Sequence, residues 1–246
     1  MTSPQPVAPE TPPPARYPFW TYQDLVFLIG LGIPCLFLAV GVTSLLKLVV
    51  PGWQKPAVTA LSIQFVAYIL WFFALWGLFR LRYERSFRQA LRWTRPRLGM
   101  AIFITLGFVL AIAIVLIGLL LRTPDIEMPM KELLSDRLSL ILVGTFAVTL
   151  GPVCEELAFR GFLLPLLVRS FGAAAGILIS GVTFGLMHGP QYAWSWKHLA
   201  LISLAGCVFG VVRVVTGSTA AAAAMHAGYN LTFFVAYLYQ WQEFAS

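Results

Sequence analysis

The sequence predicts an all-α fold, a polytopic integral membrane bundle of about seven transmembrane helices, and three observations carry that expectation. Residues of the AVILMFWYC set supply 59% of the 246 positions and charged residues only 11%, against roughly 25% charged in an ordinary soluble domain. The mean hydropathy is +0.81. Apolar runs recur at the length of about 20 residues that a helix needs to cross roughly 30 Å of hydrocarbon. With so little polar surface to cover a water-exposed core, a soluble enzyme, a nucleic-acid binder and a disulfide-stapled secreted module are all poor readings. The formal charge of +7 then becomes a matter of topology.

Residues 1–20 are rich in proline, with Arg16 as their one basic residue. They lack the basic start and apolar middle of a secretory signal and read as a disordered tail. Residues 21–137 carry three spans, near Leu25 to Val50, Ala57 to Phe79 and Leu98 to Leu121. A fourth run, Leu138 through Arg169, is too long for one straight crossing and holds Gly151 and Pro152, where a helix can kink. Ala173 to His188, Leu199 to Val215 and Thr219 to Gln240 complete the set, with Gly217 and Ser218 as the break between the last two. Trp53, Trp194 and Trp196 fall at expected span ends, where interfacial tryptophans belong.

Seven of the 17 basic residues, Arg80, Arg82, Arg85, Arg88, Arg92, Arg95 and Arg97, crowd the second loop with Glu84 as its single acid. The excess of positive charge predicts that the Arg80–Arg97 loop is cytoplasmic. An anionic-lipid or nucleic-acid site is the lesser reading of the same loop. The segment from Arg122 to Arg137 has no basic excess and suits the far side, and Arg169 and Arg213 fall back inside. Cys35, Cys154 and Cys207 lie in apolar runs and read as small buried hydrophobes.

Chemistry is confined by cost. Only Glu155 and Glu156 place acids well inside an apolar span, where an ionised side chain costs about 2.5 to 3.5 kcal/mol even on an insertion scale. Glu156 and Arg160 are four residues apart, so a helix sets them on one face in the favourable order for an ion pair. Glu155 points about 100° away and stays free. A free carboxylate in a low-dielectric pocket is suited to take a proton from water and hand it on.

Two of the three histidines, His188 and His226, also lie in apolar segments. Glu155 and His188 both lie roughly 21 to 24 Å from a shared turn near Gly172, so a helical hairpin brings them to one depth. Gly172, Gly176 and Ser180 on one helix, with Gly206 and Gly210 on the next, allow close approach. His226 and Asn230 share one face. Phe184, four residues before His188, reads as packing, and each polar group alone can be read as scaffold. Several such groups on three separate apolar segments are hard to explain as stability devices.

Three motifs stand in order: EExxxR at Glu155–Arg160, FxxxH at Phe184–His188 and HxxxN at His226–Asn230. With them the chain resembles the CAAX-protease and bacteriocin-processing (CPBP, or Abi) family of intramembrane peptidases, over about residues 138–240. The resemblance implies a helical membrane endopeptidase of a bacterial cell membrane, acting on a membrane-associated protein or peptide, with no nucleic-acid partner and the oligomeric state open. It implies that Glu155 and His188 activate the attacking water, that His226 and Asn230 stabilise the oxyanion, and that Glu156, Arg160 and Phe184 support them. Metal participation stays open. Glu155, His188 and His226 would be the ligands of a divalent ion such as zinc, but HExxH is absent and a carboxylate with a histidine needs no cofactor; the metal-free mechanism is favoured.

Three rival readings use the same residues. A cysteine peptidase would take Cys154 as nucleophile and His188 as base, but the adjacent Glu155 carboxylate disfavours a thiolate. A membrane scaffold or immunity protein would use the cluster to recognise a partner. A proton-coupled transporter would use buried Glu and His as its relay.

Overall fold

In lipid, a single chain segment satisfies its own backbone groups only as a helix. The computed structural model describes residues 17–50, 53–126, 133–134 and 136–245, and every long element among them is helical. Helix α1 (Tyr22–Val49) pairs with α2 (Pro56–Gly77), which continues as a widened π turn, Leu78–Arg82. The short α3 (Phe87–Ala90) lies in the arginine-rich loop, and α4 (Met100–Leu120) is the third crossing. Then follow α5 (Arg137–Val148), α6 (Leu150–Glu156), a second π turn (Leu157–Leu163), α7 (Leu164–Met187), α8 (Trp196–Thr216) and α9 (Thr219–Ala245).

Five of these stretches are long and apolar enough to cross a membrane, and one of them, Arg137–Met187, runs for 51 residues. It does not run straight. Gly172, at φ 80° and ψ 169°, breaks α7 in a conformation that glycine tolerates without a Cβ clash. Beyond it the chain folds back, so that Phe159 on one arm meets Phe184 on the other with ring centroids 5.2 Å apart. Two arms from this stretch, together with α9, bring the bundle to about seven crossings. Large side chains on the outer faces, such as Phe37 and Leu48 of α1 and Leu120 of α4, are 73 to 82% exposed. A surface so apolar is one that lipid covers.

Local chemistry sets the ends and kinks. The Asp136 carboxylate accepts from Leu138 N and Ser139 N and so caps α5. The Ser139 hydroxyl and the Lys55 ammonium hold that carboxyl down to about 2. Between α5 and α6 the helix breaks at Thr149 (φ −116°, ψ −79°). Pro152 has no N–H to return to the carbonyl of Val148 and its ring crowds that turn, so the break lies upstream of the proline.

The boundary of the proline-rich tail needs correction. Residues 1–16 lie outside the described residues, but Tyr17–Trp20 are packed rather than disordered. Trp20 is fully buried, stacks on Phe162 (centroids 5.4 Å, 11° between planes) and donates its indole N–H to the Phe162 carbonyl at 3.1 Å. Burial of a large aromatic outweighs the local bias to disorder.

The core around the polar motifs is built by α4, α8 and α9, where Phe103, Phe209 and the run Ala221–Met225 are buried together. The start of α9 is closed by the arginine-rich loop: Thr219 N donates to the Arg92 carbonyl at 3.0 Å, and the Ser218 hydroxyl bonds the Thr94 carbonyl. His226, seven residues into α9, still reaches Glu156, sixteen residues before Gly172. Run lengths so unequal mean that α9 starts deeper in the bundle than Gly172 or crosses the α6 arm at an angle, and Ser218 and Thr219, at its start, are buried.

Candidate active site

The second π turn carries Arg160 inward, and widened turns of this kind occur frequently at functional sites. Glu156 and Arg160 are both 0% exposed, and Arg160 Nη1 donates to Glu156 Oε1 at 2.9 Å. The other arm of the guanidinium, Nη2, donates to the Gly206 carbonyl of α8 at 2.6 Å. Its plane is boxed by aromatic rings, 4.6 Å from the Phe184 centroid and 5.5 Å from that of Phe209. A Cβ on Gly206 would stand 3.1 Å from Nη2, so a glycine there lets α8 come this close.

His226 completes the buried group. Its Nδ1 lies 3.0 Å from Glu156 Oε1 and its Nε2 lies 3.9 Å from Glu155 Oε2. A carboxylate paired with arginine only accepts, so Nδ1 carries the hydrogen and Nε2 is the nitrogen turned to Glu155. The ring is held flat against Phe209 (4.7 Å, 20°) and meets Phe184 edge-on at 5.6 Å. Glu155 is the accessible member, with 26% of its side chain exposed.

His188 ends α7. Its Nδ1 is 2.8 Å from the Phe184 carbonyl, which only accepts, so the lone pair is on Nε2 and the imidazole is poised as a base. No hydrogen bond joins His188 to Glu155 among the described residues; the two histidines flank one Phe184 ring, 4.6 Å from that of His188. Asn230 donates one amide hydrogen to the Ala147 carbonyl at 2.8 Å, tying α9 to the last turn of α5 and leaving its second hydrogen uncommitted.

The structure therefore brings Glu155, Glu156, Arg160, Phe184 and His226 into one cluster, with His188 and Asn230 at its rim. Cys154 is a free thiol, as are Cys35 and Cys207. His198, which bonds the Ser195 hydroxyl at 2.9 Å and stacks on Tyr192, stands outside the cluster. The proposed metal set of Glu155, His188 and His226 is not gathered. Among the described residues no three His, Cys, Asp or Glu side chains converge closely enough to hold an ion.

Sequence reasoning passes over three contributors. Phe209, the platform under His226, is one apolar ring in an apolar run, and the Gly206 carbonyl carries no side-chain signal. Tyr68 of α2, within electrostatic reach of Glu155 and bonded to Gln64, is a polar tip inside a span and could have been noticed.

No curated protein and no solved structure matches the chain. Residues 137–232, from the first residue of α5 to the turn of α9 beyond Asn230, match the family model described as type II CAAX prenyl endopeptidase Rce1-like. All three motifs lie inside that match, which is consistent with the CPBP family.

Proposed function

We propose that the protein is an intramembrane endopeptidase that hydrolyses a peptide bond in a membrane-associated protein or peptide, in the manner of CAAX processing. The observation that carries this reading is the pair of Glu155 Oε2 and His226 Nε2, 3.9 Å apart. That is too far for a direct hydrogen bond and suited to a bridging water oxygen. Glu155, with His188 Nε2 as its partner base, takes the proton of the attacking water as its oxygen bonds to the scissile carbonyl carbon. The oxyanion is stabilised by the uncommitted amide hydrogen of Asn230 and by His226 in its doubly protonated form, whose Nε2–H then donates, the two side chains lying on one face of α9. Collapse breaks the C–N bond, and the amine leaves with the proton that Glu155 had taken.

Glu156 and Arg160 orient His226 rather than touch the substrate. A carboxylate on the far nitrogen of an imidazole fixes both its tautomer and its direction. The mechanism assigns no step to a metal ion.

Comparison of membrane-protein termini in cells with the wild-type protein and with Glu155→Gln tests the reading. Neo-termini present with wild type are expected to fall by about 10²-fold or more in the variant, at unchanged membrane level and thermal midpoint. A folded Glu155→Gln protein that retains cleavage, or a wild-type protein with no neo-termini, overturns it, the latter in favour of a scaffold.

A further inference from the structure

Three guanidinium groups from separate parts of the chain converge at the end of the bundle opposite His188. Arg92 comes from the loop after α3, Arg169 from the last turn before Gly172 and Arg213 from the last turn of α8, and together they line a cleft of about 220 Å³. Each is held by a neutral group. Arg213 Nε donates to the Thr219 hydroxyl at 3.0 Å and its Nη2 to the Tyr17 phenol at 2.9 Å. Arg92 lies over the Tyr17 ring at 4.1 Å, and Arg169 Nη1 donates to the Pro18 carbonyl at 2.6 Å. Among the described residues none of the three has a carboxylate within ion-pair distance.

Arg213 is only 5% exposed. A buried cation without a counter-ion is costly, and the half-buried Arg169 and the exposed Arg92 add their charge at the same cleft. The fold fixes them there with phenol, hydroxyl and carbonyl oxygens and leaves further N–H donors uncommitted. The remaining walls, among them Leu164, Val168 and Val214, are apolar. A site with convergent guanidiniums at the level where helices leave the bilayer, and apolar walls beside them, matches a phosphate joined to a hydrocarbon-bearing glycerol.

We propose that this cleft binds the phosphate headgroup of an anionic glycerophospholipid. Arg92, Arg169 and Arg213 take the phosphate oxygens, and Leu164, Val168 and Val214 take the first carbons of the lipid. The bound lipid then ties the segment before α1, through Tyr17 and Pro18, to the two arms that carry Arg160 and Phe209.

The test uses the full chain, purified and delipidated, with binding followed by native mass spectrometry and by thermal midpoint. Phosphatidylglycerol, phosphatidylcholine and inorganic phosphate are added separately. Wild type is expected to prefer phosphatidylglycerol over phosphatidylcholine by about tenfold or more, and Arg92→Gln/Arg169→Gln to lose that preference. Arg213→Gln also removes bonds to Tyr17 and Thr219, so the double variant, whose sites are more exposed, is the decisive one. Arg95→Gln/Arg97→Gln, in the same loop but off the cleft, is expected to keep the preference. An unchanged preference in the first double variant, or an equal loss in the second, overturns the site. Inorganic phosphate that stabilises wild type as much as the lipid does overturns the lipid assignment.

Discussion

Glu156 is sealed between Arg160 and His226, whereas Glu155 is partly open, with His226 as its one ion-pair contact among the described residues. Substitution separates the two. Glu156→Gln leaves the Arg160 cation uncompensated in the core, which costs about 3 to 5 kcal/mol. Its expected outcome is a fall in thermal midpoint and membrane level together with activity, unlike Glu155→Gln, which loses activity alone. Equal midpoints for the two variants would sink the division of labour. On the proposed mechanism, in which a carboxylate and an imidazole react, cleavage is also expected to survive dialysis against EDTA with metal loss checked by elemental analysis; a loss restored by zinc would return the site to metal chemistry. The Glu156–Arg160 pair is legible in the sequence because four-residue spacing is a property of the helix itself. The position of His226 between both carboxylates is not, since it depends on how α9 crosses α6, and no local pattern encodes a crossing angle.

Helices α4 and α9 meet backbone to backbone. A Cβ on Gly107 of α4 would stand 2.1 Å from the Met225 carbonyl, and one on Gly228 of α9 would stand 2.2 Å from the Ile104 carbonyl. No rotamer relieves a clash with backbone, so α4 and α9 must part when either glycine is replaced. Gly228→Ala is expected to cost about 1 to 3 kcal/mol and to shift His226, two residues away, out of line with Glu155. The thermal midpoint and the cleavage rate should fall together, and a variant with a wild-type midpoint would show the contact to be slack. The spans themselves are legible from length and hydropathy, the fold-back at Gly172 included. The contact faces are less so. Gly206 and Gly210 of α8 do face α7, against Gly181 and Ile177, but on α7 the contact with Ser203 and Cys207 runs through Gly181 and Gly185, while Gly176 packs on Leu167 and Val168. The sequence places small residues on more than one side of α7, and spacing alone does not choose the rotation.

Across the whole molecule the connections sort into two ends. Arg169 with Pro18, Thr219 with Arg92 and Tyr17 with Arg213 mark one. Lys55 with Asp136, and Lys197 with the carbonyls of Leu121 and Arg122, mark the other. This sorting follows if each long arm crosses once and reverses direction. Between Gln89, in the arginine-rich loop, and Gln191, after α7, the chain makes three crossings: α4, the α5–α6 arm with its π turn, and the second arm of α7. An odd number sets the two glutamines on opposite faces, and from the basic excess we propose that Gln89 is the cytoplasmic one. Both side chains are exposed, so each can be made the single cysteine of a variant lacking Cys35, Cys154 and Cys207. In intact cells a membrane-impermeant maleimide is expected to label Gln191→Cys, and to label Gln89→Cys only after the membrane is opened. Labelling of both from one side would break the count of crossings, because no rearrangement of loops turns an odd number of spans into an even one. The reverse labelling pattern would keep the count and invert the chain, moving the arginine cleft, and any lipid bound in it, to the outer leaflet.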